Sequence, residues 1–153
     1  MFRWFARRDR GFTMIEMMVV LIIIAVLIGV GIKFYTGYIE NSKITKAKSQ
    51  ITVMQAALDS YFAENGAYPA NKDQLLDAGI KASDANTLET KDPWGQYYKY
   101  NFTSESGGPQ GYSVFTGYDN VQGTKGRYVV GKGRKGASES PTISTDTNAP
   151  TTP

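Results

Sequence analysis

The most prominent pattern in the chain is one long apolar run near its start. The run extends from Phe12 to Ile32, a length of 21 residues, and only Thr13 and Glu16 within it are clearly polar. A helix needs ~20 apolar residues to cross ~30 Å of hydrocarbon, so this length is sufficient. The pattern therefore predicts one transmembrane helix over residues 12–33.

The segments on either side of the run predict its orientation and its fate. Arginines precede it, and the positive-inside rule places residues 1–11 in the cytoplasm and everything after Lys33 in the periplasm or outside the cell. A cleaved secretory signal is the competing interpretation, but its apolar part is ~7–15 residues long and ends at a small-residue cleavage site. Here the helical pattern continues past Lys33, which favours a retained anchor. The preceding arginines are Arg3, Arg7, Arg8 and Arg10.

A second apolar pattern with helical spacing follows the run. Apolar residues recur there at steps of three and four, as they do on a helix with one buried face. Gly66 and Pro69 then supply the signal that ends the helix. We therefore predict one helix from Phe12 to about Asn65, half membrane anchor and half the central helix of a globular head. The predicted buried stripe is Ile44, Ala47, Ile51, Met54, Leu58 and Tyr61.

The globular head is predicted to span residues 34–135 and to contain a short second helix and a sheet. Asn71 is a suitable N-cap for that helix, and Gly79 is a suitable end. The turn signal DPWG at residues 92–95 is expected to open the first strand. The predicted fold is α+β, with the long N-terminal helix packed against a small three-stranded antiparallel sheet. The three strands are expected at 96–102, 111–117 and 127–133.

The composition changes after residue 135. Residues 136–153 are rich in Ser, Thr and Pro and have no aromatic side chain, so they bury too little surface to order themselves. We predict a disordered C-terminal tail. Its many hydroxyls leave O-glycosylation open, and Asn101 matches the N-glycosylation pattern although it lies in a predicted strand.

Composition and charge exclude several classes of function. The chain has no cysteine and no histidine, which removes disulfides, thiolate nucleophiles and the commonest general base. Its net charge of +3 is already reached within residues 1–11, and basic and acidic side chains balance over the rest. A nucleic-acid-binding surface needs clustered basic residues. The chain is therefore predicted to be neither an enzyme nor a nucleic-acid-binding protein.

Glu16 is the one charged side chain inside the apolar run. A carboxylate deep in a bilayer costs roughly 2.5–3.5 kcal/mol on insertion scales. The side chain lies only one turn inside the helix, so it either leans toward the headgroups or has a partner of opposite charge. Physical chemistry alone leaves both interpretations open.

The motif around Glu16 resembles the class III signal of type IV pilins and pseudopilins. In RGFTMIEMMVVLIII a short basic leader ends at Gly11, Phe12 follows, and a glutamate stands four residues later. The resemblance implies cleavage between Gly11 and Phe12 by a membrane prepilin peptidase and N-methylation of the new Phe12 amine. It further implies assembly into a helical homo-oligomeric filament by an inner-membrane platform. In that family the matching glutamate pairs with the N-terminal amine of a neighbouring subunit.

Later landmarks narrow the resemblance. YFAENGAYP, DPWGQYYKY and FTGYDNVQGT are similar to successive landmarks of the major, G-type pseudopilin of type II secretion systems. This implies a structural subunit of a periplasmic pseudopilus that helps export proteins, together with minor pseudopilins. The alternative is a type IV pilin of a surface pilus for adhesion, motility or DNA uptake. An electron-carrying filament is a third interpretation, prompted by the many aromatic residues.

The chain departs from the family pattern at two places, and these departures limit what the resemblance implies about a helix kink and a calcium site. Many relatives have proline where this chain has Lys33, so any kink would depend on nearby glycines at 29, 31 and 37. Relatives also bind calcium in the last loop through an aspartate that matches Asp119 and an acidic pair further along. Lys125, Gly126 and Arg127 occupy the later positions here. No cofactor is therefore expected, and Asp119 is only a weak candidate for a calcium ligand.

Overall fold

The computed structural model of the protein describes residues 11–103, 111–116 and 128–144. The chain divides into two compact units, Met1–Tyr38 and Ile39–Pro153. Helix α1 (Met14–Asn65) has 52 residues and runs from the first unit into the second. The prediction of one helix ending at about Asn65 is confirmed.

The first unit contains the apolar half of α1. Among the described residues, α1 is the one helix long and apolar enough to cross a membrane. Its apolar segment is not buried within the protein. The three glycines at 29, 31 and 37 all lie within continuous helix, so the backbone has no break at Lys33.

In the second unit, α1 buries one face against the sheet. Five of the six residues of the predicted stripe are buried, but Tyr61 is only half-buried. The sixth buried position of α1 is a polar one, Gln55, which is 2% exposed. Its Nε2 donates to the carbonyl oxygens of Lys132 at 3.0 Å and Glu139 at 2.9 Å. These hydrogen bonds offset the cost of burying the amide.

The second helix, α2 (Lys72–Asp77), begins and ends where the sequence predicts. The side chain of Asn71 accepts a hydrogen bond from the backbone N–H of Gln74 at 3.0 Å, which is an N-cap. Gly79 has a φ of +79°, and the N–H of the following Ile80 donates to the carbonyl oxygen of Leu75 at 2.8 Å. This is the Schellman arrangement that glycine permits after a helix.

The sheet is larger than predicted. Its described strands form the antiparallel order β1-β2-β3-β4, and both β5 and β6 pair with β4. The prediction of three strands is therefore wrong in number, although the α+β class is confirmed. The strands are β1 (Thr87–Lys91), β2 (Tyr97–Thr103), β3 (Gly111–Phe115), β4 (Tyr128–Arg134), β5 (Ala137–Ser138) and β6 (Thr142–Ser144).

The DPWG turn connects β1 to β2. The prediction that it opens the first strand is therefore wrong. Asp92 Oδ1 accepts hydrogen bonds from the backbone N–H groups of Trp94 at 3.0 Å and Gln96 at 2.9 Å. The indole Nε1 of Trp94 donates to Glu40 of α1 at 3.1 Å, and its ring packs partly against the core. The turn thus joins the sheet to the helix, as expected for a structural turn.

The segment that was predicted as a tail from residue 136 begins as part of the sheet. Ser138 shares a hydrogen bond with the hydroxyl of Tyr112 at 2.9 Å and donates to the carboxylate of Asp59. The N–H of Gly136 donates to the hydroxyl of Tyr68 at 2.8 Å, and burial raises the pKa of that phenol to about 12. These bonds hold residues 136–138 on α1, on β3 and on the segment between α1 and α2, despite their polar composition. The rest of the predicted tail, residues 145–153, lies outside the described residues.

Three tyrosines form much of the core between α1 and the sheet. Tyr98, Tyr100 and Tyr112 are fully buried, and burial raises the pKa of all three phenols. Each phenol therefore stays protonated to a higher pH than a free tyrosine does. Tyr98 donates to Gln50 at 2.9 Å, and Tyr100 donates to the carbonyl oxygen of Pro69 at 2.8 Å.

Candidate assembly site at the helix N-terminus

The candidate site is the start of α1, where the predicted processing and assembly residues stand together. Gly11, Phe12 and Thr13 precede the helix without regular structure, and Glu16 lies in its first turn. All four residues are exposed, and the side chain of Phe12 is 80% exposed. Both residues that flank the Gly11–Phe12 peptide bond are thus exposed.

Thr13 and Glu16 form a reciprocal capping box. The backbone N–H of Thr13 donates to Glu16 Oε2 at 3.0 Å, and the backbone N–H of Glu16 donates to Thr13 Oγ1 at 3.3 Å. The Thr13 hydroxyl also donates to Glu16 Oε2 at 3.1 Å. In a capping box two N–H groups that lack helical partners are satisfied at once. The carboxylate is thereby turned toward the N-terminal end of the helix.

Electrostatics favour a negative charge at this position. The N-terminus of a helix carries the equivalent of roughly half a positive charge, so a carboxylate in the first turn is stabilised there. The Glu16 carboxylate bonds to the N–H of Thr13, which directly follows Phe12. A positive charge on the Phe12 amine would therefore lie one residue before the N–H group that the carboxylate binds.

Thr13 is the site residue that the sequence analysis missed. The signal was present, because TMIE has the threonine and glutamate at the spacing of a capping box immediately before an apolar run. In the pattern of the apolar run, Thr13 stands out only as a polar interruption. The structure assigns it the role of holding the Glu16 side chain in place.

The remaining positions singled out in the sequence are Asp119 and Asn101. Asp119 and the loop that would hold calcium, residues 117–127, lie outside the described residues. Over the part of the chain that is described, no group of three or more acidic, histidine or cysteine residues could hold a metal ion. Asn101 lies half-buried on β2, where its Oδ1 accepts a hydrogen bond from Asn86 at 3.3 Å.

Comparison with known families covers most of the chain. The prokaryotic N-terminal methylation motif matches residues 6–32, which include Gly11, Phe12 and the capping box. The family described as type II secretion system (T2SS), protein G, matches residues 35–131. The chain belongs to this family. It is a G-type pseudopilin, a structural subunit of a secretion pseudopilus, and the surface-pilus alternative is not favoured.

Individual relatives support the same assignment for this pseudopilin. The type II secretion system core protein G of Vibrio cholerae is 33% identical over 132 residues, which cover 78% of this chain and 88% of the relative. That of Pseudomonas aeruginosa is 34% identical over 106 residues, covering 61% and 74%. That of Klebsiella pneumoniae is 29% identical over 141 residues, covering 82% and 99%. No solved structure gives a significant match.

The matches also bear on location and partners. The methylation motif and the long apolar helix fit a pseudopilin anchored in the inner membrane. Membership of this family indicates filament assembly with other pseudopilins. The members of the family are structural proteins and are not known as enzymes.

Proposed function

We propose that the N-terminus of this pseudopilin is the device that aligns subunits in the pseudopilus. A prepilin peptidase cleaves between Gly11 and Phe12, and the new Phe12 amine is methylated. Glu16 of one subunit then pairs with the Phe12 amine of its neighbour. The observation that supports this role is the capping box, which directs the Glu16 carboxylate toward the end of the helix.

The pairing accounts for the placement of a charge inside the apolar run. Before assembly, the exposed capping bonds lower the cost of holding Glu16 near the membrane surface. When helices pack together in the filament, the carboxylate and the amine are buried as a pair, and each satisfies the other. A buried polar pair of this kind can specify the register between subunits.

The proposal includes an orientation and a set of partners. The basic leader lies in the cytoplasm and the second unit in the periplasm, in accord with the arginines that precede the apolar run. The proposed partners are further copies of this chain, minor pseudopilins, the prepilin peptidase and the inner-membrane assembly platform. The chain has no proposed catalytic activity.

The proposed pairing can be tested directly in filaments. Filaments assembled from a mixture of ¹⁵N-labelled and ¹³C-labelled subunits report only contacts between different subunits. Solid-state NMR is expected to show the terminal amine within about 4 Å of a glutamate carboxylate, the range of an ion pair. The signal should persist in a Glu64→Gln control, whose altered side chain is exposed elsewhere on α1. Absence of any contact between the amine and a carboxylate would refute the pairing.

Cleavage of the leader and methylation of Phe12 are expected to occur in cells. Protein extracted from membranes of cells that hold a prepilin peptidase is expected to start at Phe12 and to carry one methyl group on its amine. Intact-mass measurement distinguishes this product from the full chain. A Gly11→Leu variant should keep the leader, because the bulky side chain blocks the exposed cleavage position. Retention of Met1 by the unaltered chain would contradict the proposal.

Calcium is expected to bind this pseudopilin only weakly. Calcium prefers six to eight oxygen ligands, and its affinity rises with the number of carboxylates. Asp119 is the only acid in residues 117–127, and Lys125 and Arg127 would repel a cation. We expect any calcium binding to be weaker than about millimolar. The melting temperature of the protein should therefore be equal in EDTA and in a few millimolar calcium. A clear rise in melting temperature with calcium would contradict this expectation.

A further inference from the structure

An aromatic stripe follows the apolar run directly in the first unit. Phe34 and Tyr35 are each 67% exposed, and Tyr38 is 72% exposed. Their spacing places the three side chains within roughly 100° of arc on one side of α1, because successive helical residues are ~100° apart. They begin two residues after Ile32, the last residue of the run.

We propose that this aromatic stripe binds the headgroup layer of the outer leaflet of the membrane in which the pseudopilin is anchored. The proposal thus depends on the membrane anchoring described above. The structure favours this partner because the stripe is continuous with the helix segment that is long and apolar enough to cross the hydrocarbon. Tyrosine rings have an apolar body and a polar tip and concentrate at membrane–water interfaces for that reason.

The dimensions of the helix agree with this location. At 1.5 Å per residue, the 21 residues from Phe12 to Ile32 span roughly 32 Å, close to the ~30 Å hydrocarbon thickness. Lys33 then stands at the boundary, where its ammonium group meets lipid phosphates, and the aromatic stripe follows within the next turn and a half. Charge and aromatic character therefore match the headgroup layer at the depth where the helix enters it.

The stripe would set the height of the subunit in the bilayer before assembly. Glu16 lies 17 residues before Lys33, which corresponds to roughly 25 Å along the helix. With Lys33 held at the outer boundary, Glu16 would lie inside the inner boundary by the remaining few ångströms of hydrocarbon. The stripe thus opposes the tendency of the carboxylate to withdraw into the cytoplasmic headgroups.

The absence of cysteine from the chain permits a clean test with single spin labels. The full-length protein is labelled through Thr36→Cys, Ile28→Cys or Val53→Cys and reconstituted in phosphatidylethanolamine and phosphatidylglycerol vesicles. Collisions with oxygen and with a water-soluble nickel chelate report depth. We expect the label at 36 to show a depth between that at 28, in hydrocarbon, and that at 53, in water. Position 53 suits the water reference because Val53 is 69% exposed on the second unit.

The tyrosines are then changed while the label at 36 is retained. Tyr35→Ser with Tyr38→Ser is expected to raise nickel collisions toward the value at 53, because serine has no affinity for the interface. Tyr35→Trp with Tyr38→Trp should preserve the depth. The inference is overturned if the label at 36 is as accessible to nickel as that at 53 in the unaltered protein, or if the serine pair changes nothing.

The label at 28 separates this inference from membrane anchoring. If position 28 is shielded from nickel while position 36 is in water, the anchor stands and the inference that the aromatic stripe binds the headgroup layer is overturned. If position 28 is also in water, both the anchor and the proposed stripe are wrong.

Discussion

Glu16→Leu is expected to abolish filament assembly while membrane insertion and leader cleavage continue. Leucine removes the charge from the apolar run, so insertion becomes easier by roughly 2.5–3.5 kcal/mol at most. Assembly fails because the Phe12 amine of the neighbour is buried without a partner, a situation that costs about 3–5 kcal/mol for a buried ion pair that loses one member. Shearing of filaments followed by electron microscopy measures the yield.

Two further variants separate the charge of Glu16 from its capping bonds. Glu16→Gln keeps an oxygen that can accept the bonds from Thr13 but lacks the charge, and it should fail to assemble. Thr13→Val removes the hydroxyl at a cost of about 1 kcal/mol, typical of a lost N-cap, and should still assemble. Normal filaments from Glu16→Leu would refute the proposed role. If Glu16→Gln forms normal filaments and Glu16→Leu does not, the capping bonds are required and the charge is not.

Gly131→Ala is expected to destabilise the second unit by roughly 2–3 kcal/mol, the upper range for overpacking a core. Gly131 lies on β4 where the sheet meets α1, and an added Cβ would overlap Ile51 Cγ2 and stand 2.9 Å from Gln55 Cδ. Both neighbours are buried, and Gln55 is held by two hydrogen bonds. The contact must therefore push β4 away from the helix.

Thermal unfolding of the full chain in detergent, followed by the near-ultraviolet signal of the buried tyrosines, measures this effect. Gly37→Ala is the matched control, because nothing lies within 4 Å of its added Cβ. Alanine in a helix stabilises it by about 0.5–1 kcal/mol relative to glycine, so this variant should be no less stable than the unaltered chain. Combining Gly131→Ala with Ile51→Ala should cost less than the sum of the two changes, since the overlap with Ile51 is removed. Equal stability of Gly131→Ala and Gly37→Ala would contradict the close approach.

Features determined by neighbouring residues could be predicted from the sequence alone. The bounds of α1 and α2 follow from apolar spacing and from caps such as Asn71 and Gly79, which act within one turn of the chain. The same holds for the candidate site, whose residues 11–16 are contiguous. The capping role of Thr13 was missed only because a readable local signal was not used.

The tertiary structure decided which weakly patterned segments became strands. Strand β1 buries only Leu88, so it has no alternation of apolar and polar positions that a sequence could show. Strands β5 and β6 are rich in hydroxyl residues and are ordered by pairing with β4, not by their own hydrophobicity. Their composition alone predicted a tail.

The tertiary structure also determined why particular side chains are buried. Gln55 is a polar residue within the apolar face of its helix, and its burial is favourable because the carbonyl oxygens of Lys132 and Glu139, 77 and 84 positions away, accept its hydrogen bonds. Gly131 is required only because α1 passes close to β4 at that point. Such requirements arise from partners that folding brings together from distant parts of the chain. No local pattern of propensity or spacing encodes them, and so the sequence by itself determined the helices and the processing motif but not these contacts.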